Sequence, residues 1–173
     1  PRLYRNDGKG NFTEDVNAIP ESVKTIAGCV TTADIDGDGD LDLFIGGRVS
    51  KQFPLAPKSF ILINNQGVFT NSTASVCPAL QEAGMITAAV WTDFNNDQTP
   101  DLIVAGEWMP VRFFANRSGK LEEVTDQTGL TGIKGMWRSL VAADIDKDGD
   151  IDIVAGNFGL NCNYKTSPTY PMK

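Results

Sequence analysis

DIDGDGDLD, from Asp34 to Asp42, decides how this chain is read, because it returns as DIDKDGDID from Asp144 to Asp152 and, in weaker form, as DFNNDQTPD from Asp93 to Asp101. Each string puts oxygen-bearing side chains at loop positions one, three, five and nine, the spacing that lets a short loop wrap a hard cation. Charge supplies the reason. Carboxylates about 4 Å apart repel by roughly 4 kcal/mol per pair at an effective dielectric near 20, so a folded loop that gathers four of them needs a counter-ion.

In the first loop Asp34, Asp36, Asp38 and Asp42 offer side-chain oxygens, Asp40 offers its backbone carbonyl, and Gly39 at position six allows the sharp bend. Asp144, Asp146, Asp148, Asp150 and Asp152 repeat this around Gly149. The second loop keeps Asp93, Asp97 and Asp101, but Asn95 replaces one carboxylate and Gln98, Thr99 and Pro100 occupy positions six to eight. The expectation is two strong Ca²⁺ sites and a third that binds more weakly or through a water.

The flanks exclude the commonest alternative. An EF-hand needs a bidentate Glu at position twelve and helices on both sides, whereas position twelve here is Ile45, Val104 or Ala155. CVTTA, TAAVWT and SLVAA precede the loops, and LDLFIGG, DLIVAG and IDIVAG end them. Short apolar, β-branched runs bounded by turn signals read as buried strands, so each loop joins two strands. A lone string of this kind could be a solvated acidic turn; three copies in one strand context favour the ion.

Composition agrees. The chain has 173 residues, 41% hydrophobic, with 17 glycines, which suits an all-β domain and not a helical bundle. Of its 22 acidic residues, 13 lie inside the three loops, and three bound dications would bring the net charge from -7 to -1. The acidity is therefore ion-binding charge, and no basic run or aromatic patch argues for nucleic acid. No window is long and apolar enough for a membrane span. Cys29, Cys77 and Cys162 lack metal-like spacing and read as small buried residues, with a disulfide left open. Three N-x-S/T sequons, at Asn11, Asn71 and Asn116, fall in turns where Asn is favoured anyway.

The loops recur at intervals of 59 and 51 residues, the spacing of propeller blades. Between them LYRNDGKGNFTEDV, ILINNQGVFTNST and FFANRSGKLEEVT read as hairpins, with Asn6, Asn64 and Asn116 opening the turns and Phe12, Phe69 and Leu121 starting the return strands. One unit is strand, ion loop, strand, connection, hairpin: a four-stranded antiparallel blade. The predicted fold class is all-β, built of β-propeller blades: an outer hairpin at 3–16, blades at 28–73 and 85–126, and the inner half of another at 137–160. Closed propellers need at least four blades, so the chain reads as a fragment of a larger propeller whose open edges could pair with another copy. Ala33, Ala88, Ala89, Ala142 and Ala143 suit the crowded innermost strands. Trp91 and Trp137 read as core, and Trp108 as packing with exposed recognition as the alternative.

At these residues the chain resembles the FG-GAP and VCBS repeat family, calcium-loop propeller repeats also found in integrin α-subunit heads. GEWMP at Gly106–Pro110, GMWRSLVAADIDKDGDID at Gly135–Asp152 and GNFGLN at Gly156–Asn161 are similar to stretches of large secreted or surface proteins of Bacteroidetes that carry such repeats. The resemblance covers nearly the whole chain. It implies calcium held by the loop residues already named and an extracellular, cell-surface or periplasmic location. It implies no single activity, since members include adhesins, receptors and accessory domains of enzymes.

The function expected is a calcium-binding repeat module of a secreted or cell-surface protein that mediates protein or glycan binding, with no catalytic residues. One rival is the accessory or catalytic propeller of a calcium-dependent polysaccharide-acting enzyme; another is a structural spacer. The chain contains no histidine, which excludes Ser-His-Asp and Cys-His mechanisms within it. A Lys and Tyr pair from Tyr164, Lys165 and Tyr170 stays open.

Overall fold

The computed structural model describes residues 1–50 and 55–159. Among the described residues twelve strands run in chain order: β1 (Leu3–Asn6), β2 (Phe12–Asp15), β3 (Ile26–Ala33), β4 (Asp42–Val49), β5 (Phe60–Asn65), β6 (Val68–Asn71), β7 (Met85–Thr92), β8 (Asp101–Pro110), β9 (Arg112–Asn116), β10 (Leu121–Glu123), β11 (Lys134–Ala143) and β12 (Asp152–Asn157). A single helical turn, α1 (Thr73–Val76), and short 3-10 turns at Pro78–Glu82 and Thr125–Gln127 link them. The fold is all-β, as the sequence predicts, and every strand pair is antiparallel.

β3-β4-β5-β6 form one four-stranded blade, and β7-β8-β9-β10 form a second. β1 and β2 make a separate hairpin, and β11 and β12 pair as the inner half of a further unit. The strings that flank each loop thus form its two rails. Their register is the same in all three: the residue before the loop lies opposite position nine, as Ala33↔Asp42, Thr92↔Asp101 and Ala143↔Asp152.

The structure adds a join between units that strand counting does not give. β8 runs past its blade, and its end pairs with the start of β11 through Lys134↔Pro110, Gly135↔Met109 and Met136↔Glu107, fusing the second blade and the β11–β12 pair into a six-stranded sheet. Trp108 lies at the fold-over with φ 60 and is half-buried. A bulky residue in that region is held there by its surroundings; here its neighbours Glu107 and Met109 pair with Met136 and Gly135 of β11.

Alternation along the central strands builds the core. Phe44 of β4 packs with Ile61, Leu102, Val104 and Phe114 between the two full blades, while its neighbours Leu43 and Ile45 face the other way, toward Val23 and Ile19. In β8, Leu102 and Val104 face the first blade; Ile103 and Ala105 face Trp137, Leu140 and Ile153 of the next unit. Strands buried on both faces explain the unbroken apolar runs LFI and LIVA. Full burial of each large side chain stabilises by about 1.5–3 kcal/mol, and a blade without its neighbour would forfeit the part of that burial its neighbour supplies. Phe94 meets Phe113 edge to face, centroids 5.5 Å apart, in the second interface. Trp91 and Trp137 pack against these cores but are only partly buried.

The inner strands approach one another closely. Each has a bulge six residues before its loop, at Gly28, Thr87 and Arg138. A Cβ on Gly28 would lie 2.1 Å from the carbonyl oxygen of Ile86, which leaves no room for a side chain. Thr87, one blade on, donates its hydroxyl to the Trp137 carbonyl at 2.7 Å. Beside these contacts Glu107 Oε1 accepts from Arg48 Nη2 at 2.9 Å and from Arg138 Nη1 at 2.6 Å, tying three units through one carboxylate.

Candidate metal centre

Each loop coils around the carboxylate of its first residue. Asp34 Oδ1 accepts from the backbone N–H of Gly37 (2.8 Å) and Asp38 (3.1 Å), and Oδ2 from Gly39 (3.0 Å). Asp93 accepts from Asp97 (3.0 Å) and Gln98 (2.7 Å), and Asp144 from Lys147 (2.7 Å) and Gly149 (3.1 Å). To aim these N–H groups inward the chain turns left-handed at positions four and six: Gly37 and Gly39, Asn96 and Gln98, Lys147 and Gly149 all have positive φ. Glycine takes that conformation freely; Gln98 takes it against its Cβ.

The ninth residue closes the loop from the other side. Asp42 is fully buried, with Oδ2 accepting from Ile35 N–H (2.8 Å) and Oδ1 from Asn64 N–H (2.8 Å). Asp101, also fully buried, does the same with Phe94 (3.2 Å) and Asn116 (2.7 Å), and Asp152 accepts from Ile145 (3.0 Å). Burial pushes the carboxyls of Asp42 and Asp101 above the ordinary carboxylate value, the backbone donors pull them back, and neighbouring loop aspartates push them up again. A nearby cation would reverse the last contribution.

With positions one and nine fixed, carboxylates converge. One oxygen each from Asp34, Asp36 and Asp42 lies within 4.8 Å of the others, and Asp144, Asp146 and Asp152 repeat the arrangement. The remaining ligand candidates have local partners. Asp38 and Asp148 accept the N–H of Asp40 and Asp150 at 2.8 and 2.9 Å. Asp40 Oδ2 holds Gln66 N–H at 2.6 Å, so its side chain braces the β5–β6 turn. Asp150 Oδ1 accepts from Asn96 Nδ2 of the second loop at 2.8 Å.

The second loop is organised differently. Asn95 Oδ1 accepts Asp97 N–H at 2.9 Å, Asp97 Oδ1 accepts both the N–H and the hydroxyl of Thr99, and Arg117 Nη1 donates to Asp97 Oδ2 at 2.8 Å. The Asp97 carboxyl sits below the ordinary value, chiefly through the Thr99 hydroxyl, with Arg117 adding to it.

Sequence reasoning marked Asn64 and Asn116 as turn openers and missed their second task. Their Oδ1 atoms accept the N–H of Gly67 and Gly119, and their Nδ2 atoms donate to Leu41 and Pro100 carbonyls on the loops. Asn116 also reaches the Ile35 carbonyl of the preceding blade at 2.8 Å. Being 3% exposed, it is a buried bracket and no acceptor for a glycan. The Asn-x-x-Gly that recurs beside the first and second loops, at Asn64–Gly67 and Asn116–Gly119, was the signal available. Cys29 and Cys77 are free thiols, the former pushed by burial up to about 11 and so inert; Cys162, Tyr164, Lys165 and Tyr170 lie outside the described residues.

A family model described as an FG-GAP-like repeat matches residues 1–45 and 93–155, more than half of the chain. The chain belongs to the FG-GAP-like repeat family. The matched segments contain all three loops, β11, and β12 as far as Ala155, so the FG-GAP-like signal coincides with the acidic turns. No curated protein matches the chain. Among the described residues no helix is long and apolar enough to cross a membrane.

Proposed function

We propose that this FG-GAP-like chain is a calcium-braced propeller module of a secreted or cell-surface protein, and that it binds a protein or glycan ligand. The observation that supports calcium is the convergence of three carboxylate oxygens within 4.8 Å in the first and third loops. The donors are all hard oxygens, carboxylate and carbonyl, and the chain has no histidine to favour a transition metal. Asp34, Asp36 and Asp42, with Asp38 and the carbonyl of Asp40, would hold one ion; Asp144, Asp146 and Asp152, with Asp148 and the carbonyl of Asp150, would hold another. Such an ion neutralises carboxylates that repel in its absence, and it clamps the strand pair beneath.

FG-GAP-like repeats occur typically in extracellular proteins and are generally not catalytic, which favours binding over chemistry. Extracellular calcium modules work with dissociation constants of about 10⁻⁴–10⁻³ M. At 100 times the dissociation constant each occupied loop would add about 2.7 kcal/mol to stability. Thermal melts of the chain in chelator and in excess calcium test this. A rise of several degrees is expected, reduced in Asp36→Asn; coincident melts would end the proposal.

A further inference from the structure

We infer that the second loop is closed by the chain's own cation, the guanidinium of Arg117, and takes no divalent ion, so that three loops bind two metals. The inference rests on the calcium reading of the first and third loops. Arg117 Nη1 lies 2.8 Å from Asp97 Oδ2, at loop position five. Because Thr99 occupies Oδ1 of the same carboxylate, both Asp97 oxygens are engaged by donors. In the other loops the position-five carboxylates, Asp38 and Asp148, each accept a backbone N–H of their own loop, from Asp40 and Asp150, and among the described residues no cation pairs with them. The residue that corresponds to Arg117 in the first blade, next after the bracketing Asn64, is the neutral Asn65.

Charge counting points the same way. The first loop contains five carboxylates, and a dication would leave it at -3; the second contains three, and Arg117 alone brings it to -2. The second loop with its guanidinium is therefore less crowded than the first loop would be with its metal, and an entering dication would meet a fixed positive charge. Its fourth residue turns outward instead: Asn96 donates to Asp150 Oδ1 at 2.8 Å, so the metal-free loop serves as a strut for the third loop.

Calorimetric titration of the chelator-stripped chain with calcium should give two equivalents, and three would overturn the inference. Melts of Arg117→Gln and Asp97→Asn complete the test. Both variants should lose the same number of degrees in chelator as in calcium, with two equivalents still bound, whereas Asp38→Asn should lose mainly in calcium and bind one equivalent fewer. An Asp97→Asn variant that gives up a calcium-dependent increment, or an Arg117→Gln variant that melts with wild type in chelator, refutes it. Should wild type bind no calcium at all, the reading of the first and third loops fails, while the Arg117→Gln melt in chelator still decides how the second loop is closed.

Discussion

Replacing Asp101, with unfolding followed in chelator, tests the structural argument apart from any metal. Asp101 is fully buried and accepts two backbone N–H groups, from Phe94 on the loop and Asn116 at the β9–β10 turn. Asp101→Ala leaves both donors buried without partners, at about 1–3 kcal/mol each, so a loss of about 4 kcal/mol is expected. Asp101→Asn keeps one oxygen for one donor and turns an NH₂ group on the other, and should lose about 2 kcal/mol by the same reasoning. The carboxylate's own desolvation, visible in its raised pKa, offsets part of both losses. Against the roughly 5–15 kcal/mol that holds a domain together, these are large effects. Urea unfolding in chelator, followed by tryptophan fluorescence, measures them as shifts of midpoint at constant slope. Asp126→Ala, at an exposed site, is the control and should stay within about 0.5 kcal/mol of wild type. Equal losses for the Ala and Asn variants, or a loss under about 1 kcal/mol for Ala, would refute the claim that unmet N–H donors set the cost.

Gly28→Ala places a methyl group 2.1 Å from the Ile86 carbonyl and 2.9 Å from Arg48 Cβ, and should destabilise the chain by about 3 kcal/mol in the same assay. Gly132→Ala, with nothing within 4 Å, should be neutral, and equal behaviour of the two would mean that β3 and β7 are further apart than described. Arg112 grips Glu123 through bonds of 2.7 and 2.6 Å and holds its carboxyl below the ordinary 4.5. A lowered folded value means that the contribution is complete above the unfolded value and fades as pH falls through the folded one. The stability gap between wild type and Glu123→Gln should accordingly be flat from neutral pH to about 5 and shrink below it; a gap that persists unchanged into acid contradicts the pairing.

The parts of this fold that could be read from the residues are those written locally. Ligand spacing, strand runs and the Asn-Gly turns all act within about ten residues, and they place the loops, the rails and the hairpins. What stayed hidden depends on neighbours distant in the chain. Arg117 lies twenty residues from Asp97, and Glu107 lies 59 from Arg48; nothing in either local string names its partner. The extension of β8 onto β11 is hidden for the same reason, because a strand that serves two sheets reads like any ten-residue strand. The connector after the first blade shows a further limit. Thr73–Val76 is too short to have a helical period, yet Thr73 in it and Thr125 in the second blade both accept a strand N–H, from Ile61 at 2.9 Å and Phe113 at 3.0 Å.

The two full blades differ in length almost entirely at one place. Between β4 and β5 the chain runs from Ser50 to Ser59, whereas Val111 alone separates β8 from β9. Both links lie at the end remote from the acidic turns, where among the described residues no aspartate staple or asparagine bracket holds them. One rim of the molecule is thus locked in length by its chemistry, and the other is free to accept added sequence. Variation that alters what the module touches can accumulate on that free rim without loosening the braced one, and a grafted loop belongs between Ser50 and Ser59.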